Sequence, residues 1–139
     1  MPTVHRQPVA ASWTFRTGSD CDATASSSAF DLDVTATSSA LRLVAQLSRN
    51  TAMPRTRLVS IGFTGTSGTW AVTGRRTTMR RVIASQPMTE KQAGQILVLL
   101  EGGTVRVGTP GDGLPPLQVP NGGAPGRDWF ECVRRQLFP

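Results

Sequence analysis

From Ser12 to Ser85 the chain alternates apolar and polar positions, the period of half-buried strands. Trp13 and Phe15 stand between Ser12, Thr14 and Arg16. Phe30, Leu32 and Val34 alternate with Asp31, Asp33 and Thr35, the clearest strand in the sequence. Leu41, Leu43 and Ala45 begin another, ending near Leu47. Its expected partner is Leu58–Phe63, beyond a loop over 49–57. Gly65-Thr66-Ser67-Gly68 has the composition of a hairpin connection, with Trp70 and Val72 on the returning strand. Gly74-Arg75-Arg76 reads as the next turn and Thr78–Ser85 as a further strand. Gly18–Ser28 reads as a polar loop with at most a short strand around Ala23 and Ala25.

The period changes at Thr89. Thr89 and Gln92 have the spacing of a capping box, and Ala93, Ile96, Leu97 and Leu100 follow at helical intervals. Gly102-Gly103 supplies the left-handed position that ends such a helix. Val105 and Val107 mark one more strand. The Gly- and Pro-rich stretch 108–126 has room for only a brief extended piece near Leu117 and Val119. Asp128 is the expected N-cap of a last helix, whose inward stripe is Trp129, Phe130, Val133 and Leu137. Arg134 and Arg135 fall in its last turn, where cations suit the helix dipole. The predicted architecture is β-rich α+β: an antiparallel twisted sheet, partly closed barrel or sandwich of about seven strands, with helices over 89–100 and 128–137. Residues 1–11, with Pro2 and Pro8, read as a flexible N-terminal arm ahead of a single globular domain over 12–139.

Composition narrows the chemistry. The 139 residues contain no Tyr, one His (His5) and one Lys (Lys91). Histidine triads, multi-histidine zinc sites and the lysine-bearing phosphate loop are therefore absent, and no apolar run is long enough to span a bilayer. Lys plus Arg number 15 against 9 Asp plus Glu, a net charge of +6. All but Lys91 are Arg, the usage a GC-rich bacterial genome produces on a solvated surface. Cys21 and Cys132 stand near opposite ends of the chain, with no CxxC motif and no second pair. They are expected to form one disulfide, which favours a periplasmic or secreted protein over a cytoplasmic one. Residues 1–12 lack the apolar centre of a signal peptide, so export implies a leader removed ahead of this chain.

Few constellations carry chemistry. Asp31 and Asp33 share a strand face at a separation of roughly 6.5–7 Å, within the range of glycosidase carboxylate pairs, but the solvent side of an amphipathic strand explains them fully. Asp20 and Asp22 flank Cys21 without the spacing of a calcium loop. Gly65–Gly68, Gly108–Gly113 and Asn121–Gly126 read as turns rather than phosphate cradles. Serine and threonine nucleophiles lack a base, because His5 lies in the arm and Lys91 in an exposed first helical turn. No catalytic residue, metal or cofactor is expected. Arginine is the remaining signal. Arg75, Arg76, Arg80 and Arg81 surround one hairpin, with Arg55 and Arg57 on a loop that approaches the same end. Guanidinium pairs bind phosphate or carboxylate in a bidentate manner, so these six form a candidate anion or partner site.

The leading expectation is an exported, non-enzymatic binding module, accessory subunit or inhibitor whose partner is a protein, a glycan or an envelope component. One alternative is a cytoplasmic or virion protein that binds nucleic acid or an acidic partner through the arginine hairpin. A second is a carboxylate-dependent hydrolase using Asp31 and Asp33.

Overall fold

The computed structural model describes residues 7–138, so His5 and the first half of the expected arm lie outside the described residues. Ten strands form one mixed, nearly closed sheet, more than the seven expected. In chain order they are β1 (Val9–Ala10), β2 (Ser12–Thr17), β3 (Cys21–Ser26), β4 (Phe30–Ala36), β5 (Ala40–Leu47), β6 (Leu58–Gly65), β7 (Thr69–Arg76), β8 (Arg81–Pro87), β9 (Gly103–Val107) and β10 (Leu117–Val119). Helix α1 (Glu90–Leu100) lies between β8 and β9, and α2 (Gly123–Leu137) closes the chain. The order across the sheet is β1-β10-β9-β6-β7-β8-β5-β4-β3-β2.

The outermost strands of that order, β1 and β2, are separated in sequence only by Ala11. One extended segment therefore bridges both ends of the sheet. Val9 lies in parallel register with Leu117, while Trp13 pairs antiparallel with Ala25 and Thr17 with Cys21. The amides of Val9 and Ala11 donate to Pro116 and Gln118 carbonyls, both at 2.9 Å. Trp13 Nε1 donates across the seam to the Pro120 carbonyl at 2.8 Å. The end of the expected arm is thus sheet.

Five local expectations change. Cys21–Ser26 is a full strand rather than a loop, because Cys21, Ala23 and Ala25 are small enough to bury against Leu32 and Val34 while Asp22 and Thr24 face out. The partner of β5 is β8, not β6. β6 instead pairs with β7 and β9, a crossing that local alternation does not encode. Gly74, Arg75 and Arg76 belong to β7, and the turn falls at 77–80. There Arg80 adopts a left-handed conformation, φ 57°. Finally, α2 begins at Gly123, with Gly122 as N-cap, so Asp128 lies inside the helix rather than capping it. At α1 the expected capping box is not closed. Thr89 is the N-cap, but its hydroxyl contacts the Gln92 side chain instead of a backbone amide.

The buried residues form one cluster to which strands and both helices contribute. An aromatic column leads from the seam into α2. Trp13 stacks on Phe15 at 5.4 Å between ring centroids, and Phe15 meets Trp129 at 5.7 Å. Trp129 Nε1 donates to the Arg16 carbonyl at 3.1 Å, and Gln136 Nε2 to the Ser19 carbonyl at 3.2 Å. Between these contacts the expected Cys21–Cys132 disulfide is formed, with Cα atoms 5.9 Å apart.

Two outcomes follow for stability. Truncating Trp129 to Ala should cost about 3–5 kcal/mol in guanidinium unfolding, since its ring is fully buried and its N–H bonded. Replacing both cysteines with Ala should cost about 2–5 kcal/mol, and reductant should lower wild-type stability by a similar amount while leaving that variant unaffected.

Candidate functional site

The six arginines singled out above do not form one surface. Alternation along β7 puts Arg76 on the inner side with Val72 and Gly74, at the open end of the barrel, and Arg75 on the outer side with Thr73. Arg81 is also exposed, and its Nε donates to Gln46 Oε1 at 2.6 Å. Arg80 is spent on the fold. Its Nε and Nη2 donate to the Ser48 carbonyl at 3.0 and 2.7 Å, and Nη2 also reaches the Thr51 carbonyl, so it holds the loop after β5 in place. Arg55 stands beside Asp112, whose carboxylate accepts from its amide at 3.4 Å. That carboxyl is held below its usual range chiefly by the Thr109 amide, with the Arg55 amide and charge adding to the effect.

Arg57 and Arg76 remain. With Met53, Thr77, Thr78 and Arg80 they line a cavity of about 780 Å³ at the end of the barrel, between the 48–57 loop and the β7–β8 turn. Arg76 is oriented by a bond from Nη1 to the Pro54 carbonyl at 2.9 Å, and both Arg76 and Arg57 are exposed. No carboxylate lines this cavity. Among the described residues the one ion pair is Arg134–Glu131, on the exposed side of α2. The sequence explains the imbalance: residues 34–89 contain eight Arg and no Asp or Glu.

Three of the nine acidic residues, Asp22, Asp31 and Asp33, lie on the outer face of β3 and β4. Asp31 and Asp33 do share that face with Arg42, Gln46 and Arg81, around a shallow hollow of about 330 Å³. Each carboxylate is committed locally. Asp31 accepts from the Ser27 amide at 3.1 Å, and Asp33 accepts from Thr24 Oγ1 at 2.8 Å and Thr35 Oγ1 at 3.2 Å. The closer carboxyl partner of Asp33 is Asp22, one strand over, which sequence reading did not pair with it. Thr35, opposite Asp22 in the ladder, bonds both. The hydrogen bond between the two carboxyls, with partial burial and the charge of Asp33, pushes Asp22 up to about 6. Arg16 and Thr35 offset part of this. The signal was present in the alternation Cys21-Asp22-Ala23-Thr24-Ala25, whose apolar side is too slight to stand out.

Among the described residues no three His, Cys, Asp or Glu side chains converge on one point as a metal site would require. No described helix is long and apolar enough to cross a membrane. The Gly108–Gly113 stretch is a short 3-10 turn over Pro110–Asp112, closed by Thr109 and Asp112. Trp70, the aromatic nearest the arginine hairpin in sequence, is half-buried against Phe63 at 5.7 Å, with its Nε1 bonded to the Gln95 carbonyl. The chain matches no protein-family model, and no curated protein or solved structure matches it significantly.

The carboxyl pair has a measurable signature. Because Asp22 is raised above its unfolded value of 3.8, its contribution is fully present below that pH and is lost as pH rises through about 6. Solvent screening limits it to roughly 1 kcal/mol. Asp22→Asn should therefore match wild type in melting temperature near pH 4 and exceed it at pH 7. A difference that does not vary between those pH values would mean the two carboxyls titrate independently.

Proposed function

We propose that this chain is a non-enzymatic binding module of an oxidising compartment, periplasmic or secreted, that captures an acidic group of its partner at the arginine-lined end of the barrel. The observation that carries this reading is the cavity holding Arg57 and Arg76 with no carboxylate in its wall. Two guanidinium groups beside two threonines suit an oxyanion, and Arg76 is already oriented by the Pro54 carbonyl, which lowers the ordering cost of binding. The long-range disulfide supports the compartment, since such bonds persist where thiols are not kept reduced. The partner is a protein, glycan or envelope component in preference to nucleic acid. Nucleic-acid platforms interleave basic residues with exposed aromatics, and Trp70 instead faces the core.

Retention on immobilised heparin, a sulfated glycan, tests the site. The Arg57→Gln, Arg76→Gln double variant should elute at clearly lower salt than wild type, with unfolding free energy changed by no more than about 1 kcal/mol. Arg49→Gln, also within the acid-free stretch but outside the cavity, serves as the control and should elute close to wild type. Equal elution of the double variant and the control would reduce the arginines to a general surface charge and sink the reading.

A further inference from the structure

The sheet is interrupted at the joint between β7 and β8, where only Arg75↔Ile83 and Arg76↔Val82 are in register. Backbone directions at this joint are fixed by two hydrogen bonds. The Thr77 amide donates to the Arg81 carbonyl at 2.8 Å, on the β8 side, and the Arg76 amide to the Arg57 carbonyl at 2.9 Å, on the β6 side. Antiparallel alternation then turns the amides and carbonyls of Arg75, Thr73 and Ala71 toward β8. Only Arg75 finds a ladder partner there. Continued register would set Ala71 opposite Pro87, which has no N–H to give. Gly74 permits the last close approach, since a Cβ at that position would lie 2.8 Å from Val82 Cγ1.

The free edge of β7 carries none of the usual guards. Thr69, Ala71 and Thr73 are exposed, small and uncharged, where exposed edges normally carry Lys, Pro or a bulge. On the outer face, spanning β6, β7 and β8 at this joint, a hollow of about 450 Å³ is lined by Leu58, Thr73, Arg75, Thr77 and Ile83 among others. Leu58 is 61% exposed, unusual for a strand leucine, and with Ile83 offers an apolar floor. Thr77 lines both this hollow and the Arg57–Arg76 cavity.

We infer that the partner is a protein, and that it presents an extended segment which adds to the free edge of β7 as an antiparallel strand, with acidic residues leading and an apolar residue following. Resting on the acidic-ligand reading above, this assigns the partner class. Antiparallel addition places the N-terminal end of the segment at the C-terminal end of β7. Where β7 and β8 diverge, its leading carboxylates meet the exposed Arg75 on the outer face. The next outward side chain covers Ile83, on the β8 flank of the edge. Backbone bonds to Thr73 and Ala71 supply affinity, and the pocket and arginines supply direction and selectivity. A second copy of the chain fits less well, because β7 itself carries no carboxylate.

The probe is a labelled peptide, Glu-Glu-Val-Thr-Val-Thr-Val, followed by fluorescence anisotropy alongside heparin retention of the same samples. Wild type should bind it, and Arg75→Gln should weaken binding. N-methylating one alternating set of peptide amides should cost about tenfold or more, while methylating the other set is tolerated, because only one set faces β7. The reversed sequence should bind more weakly. Ala71→Pro should reproduce the loss on the protein side, and the methylated peptides test the same bond without altering the protein. Equal loss from both methylated sets would overturn strand addition. Heparin retention without peptide binding would overturn the protein segment and leave the acidic-ligand reading standing, whereas failure of both probes would sink both. Peptide-independent self-association of wild type, abolished by Ala71→Pro, would assign the edge to a second copy instead.

Discussion

The fold depends on how one extended segment, Val9 to Thr17, is held between the two ends of the sheet. A segment paired with β10 at its start and β3 at its end closes the sheet only if both registers persist together, and β1 contributes just two residues to the first. The chain strengthens this joint from the helix side. Trp129, Cys132 and Gln136 of α2 each bind the β2–β3 hairpin, by an indole bond and ring contact, a covalent bond and an amide bond respectively. Closure, helix docking and the disulfide therefore act as one cooperative unit. In the chain-entropy view, a bridge across most of the sequence restricts the unfolded chain strongly. It does so where the native contacts are few.

The opposite joint has no such reinforcement. Closing the barrel at β1–β2 leaves its remaining mismatch at β7–β8, where Pro87 withholds a donor and the ladder stops after two pairs. α1 follows β8 directly, packs mainly against α2 and β6, and accepts the Trp70 indole bond at the Gln95 carbonyl. Ala71 and Thr73 of β7 stay exposed at this joint.

Much of this was legible in the alternation of residues, and the failures share a cause. Phe30, Leu32 and Val34 announced β4 because large side chains against aspartates make the period plain. Cys21, Ala23 and Ala25 did not announce β3, since the burial of small side chains depends on Leu32 and Val34 across the ladder. The β5–β8 pairing was hidden because strand order is set by long-range closure, whereas adjacent segments in sequence suggest a meander. Gly74 looked like a turn residue but serves close strand approach. Asp128 looked like an N-cap, yet α2 starts earlier because the backbone there can pack Gly126 against Phe15 and Leu100. The cysteine pairing was readable from elimination alone. The arginine site was readable only as a composition, since neither Arg80 anchoring a loop nor Arg55 beside Asp112 has a sequence signature.

The division of labour among the arginines bears on whether their number is compositional. A GC-rich genome accounts for arginine replacing lysine across the surface, but it does not place side chains. Arg80 reaches two carbonyls from a left-handed backbone position, a geometry that suits a planar, forked donor and that a lysine ammonium would fill poorly. Arg76 spends one nitrogen on Pro54 and leaves its other donors toward the cavity. Arg57 and Arg75 have no side-chain hydrogen bond within the described fold that would require arginine. Like-charged groups held together destabilise the compact state slightly, and nothing in residues 34–89 offsets them. Arg80 and, in part, Arg76 are therefore accounted for by folding, whereas Arg57 and Arg75 are not. The latter two border the arginine cavity and the β7–β8 hollow, the recesses on which the proposed capture of an acidic segment rests.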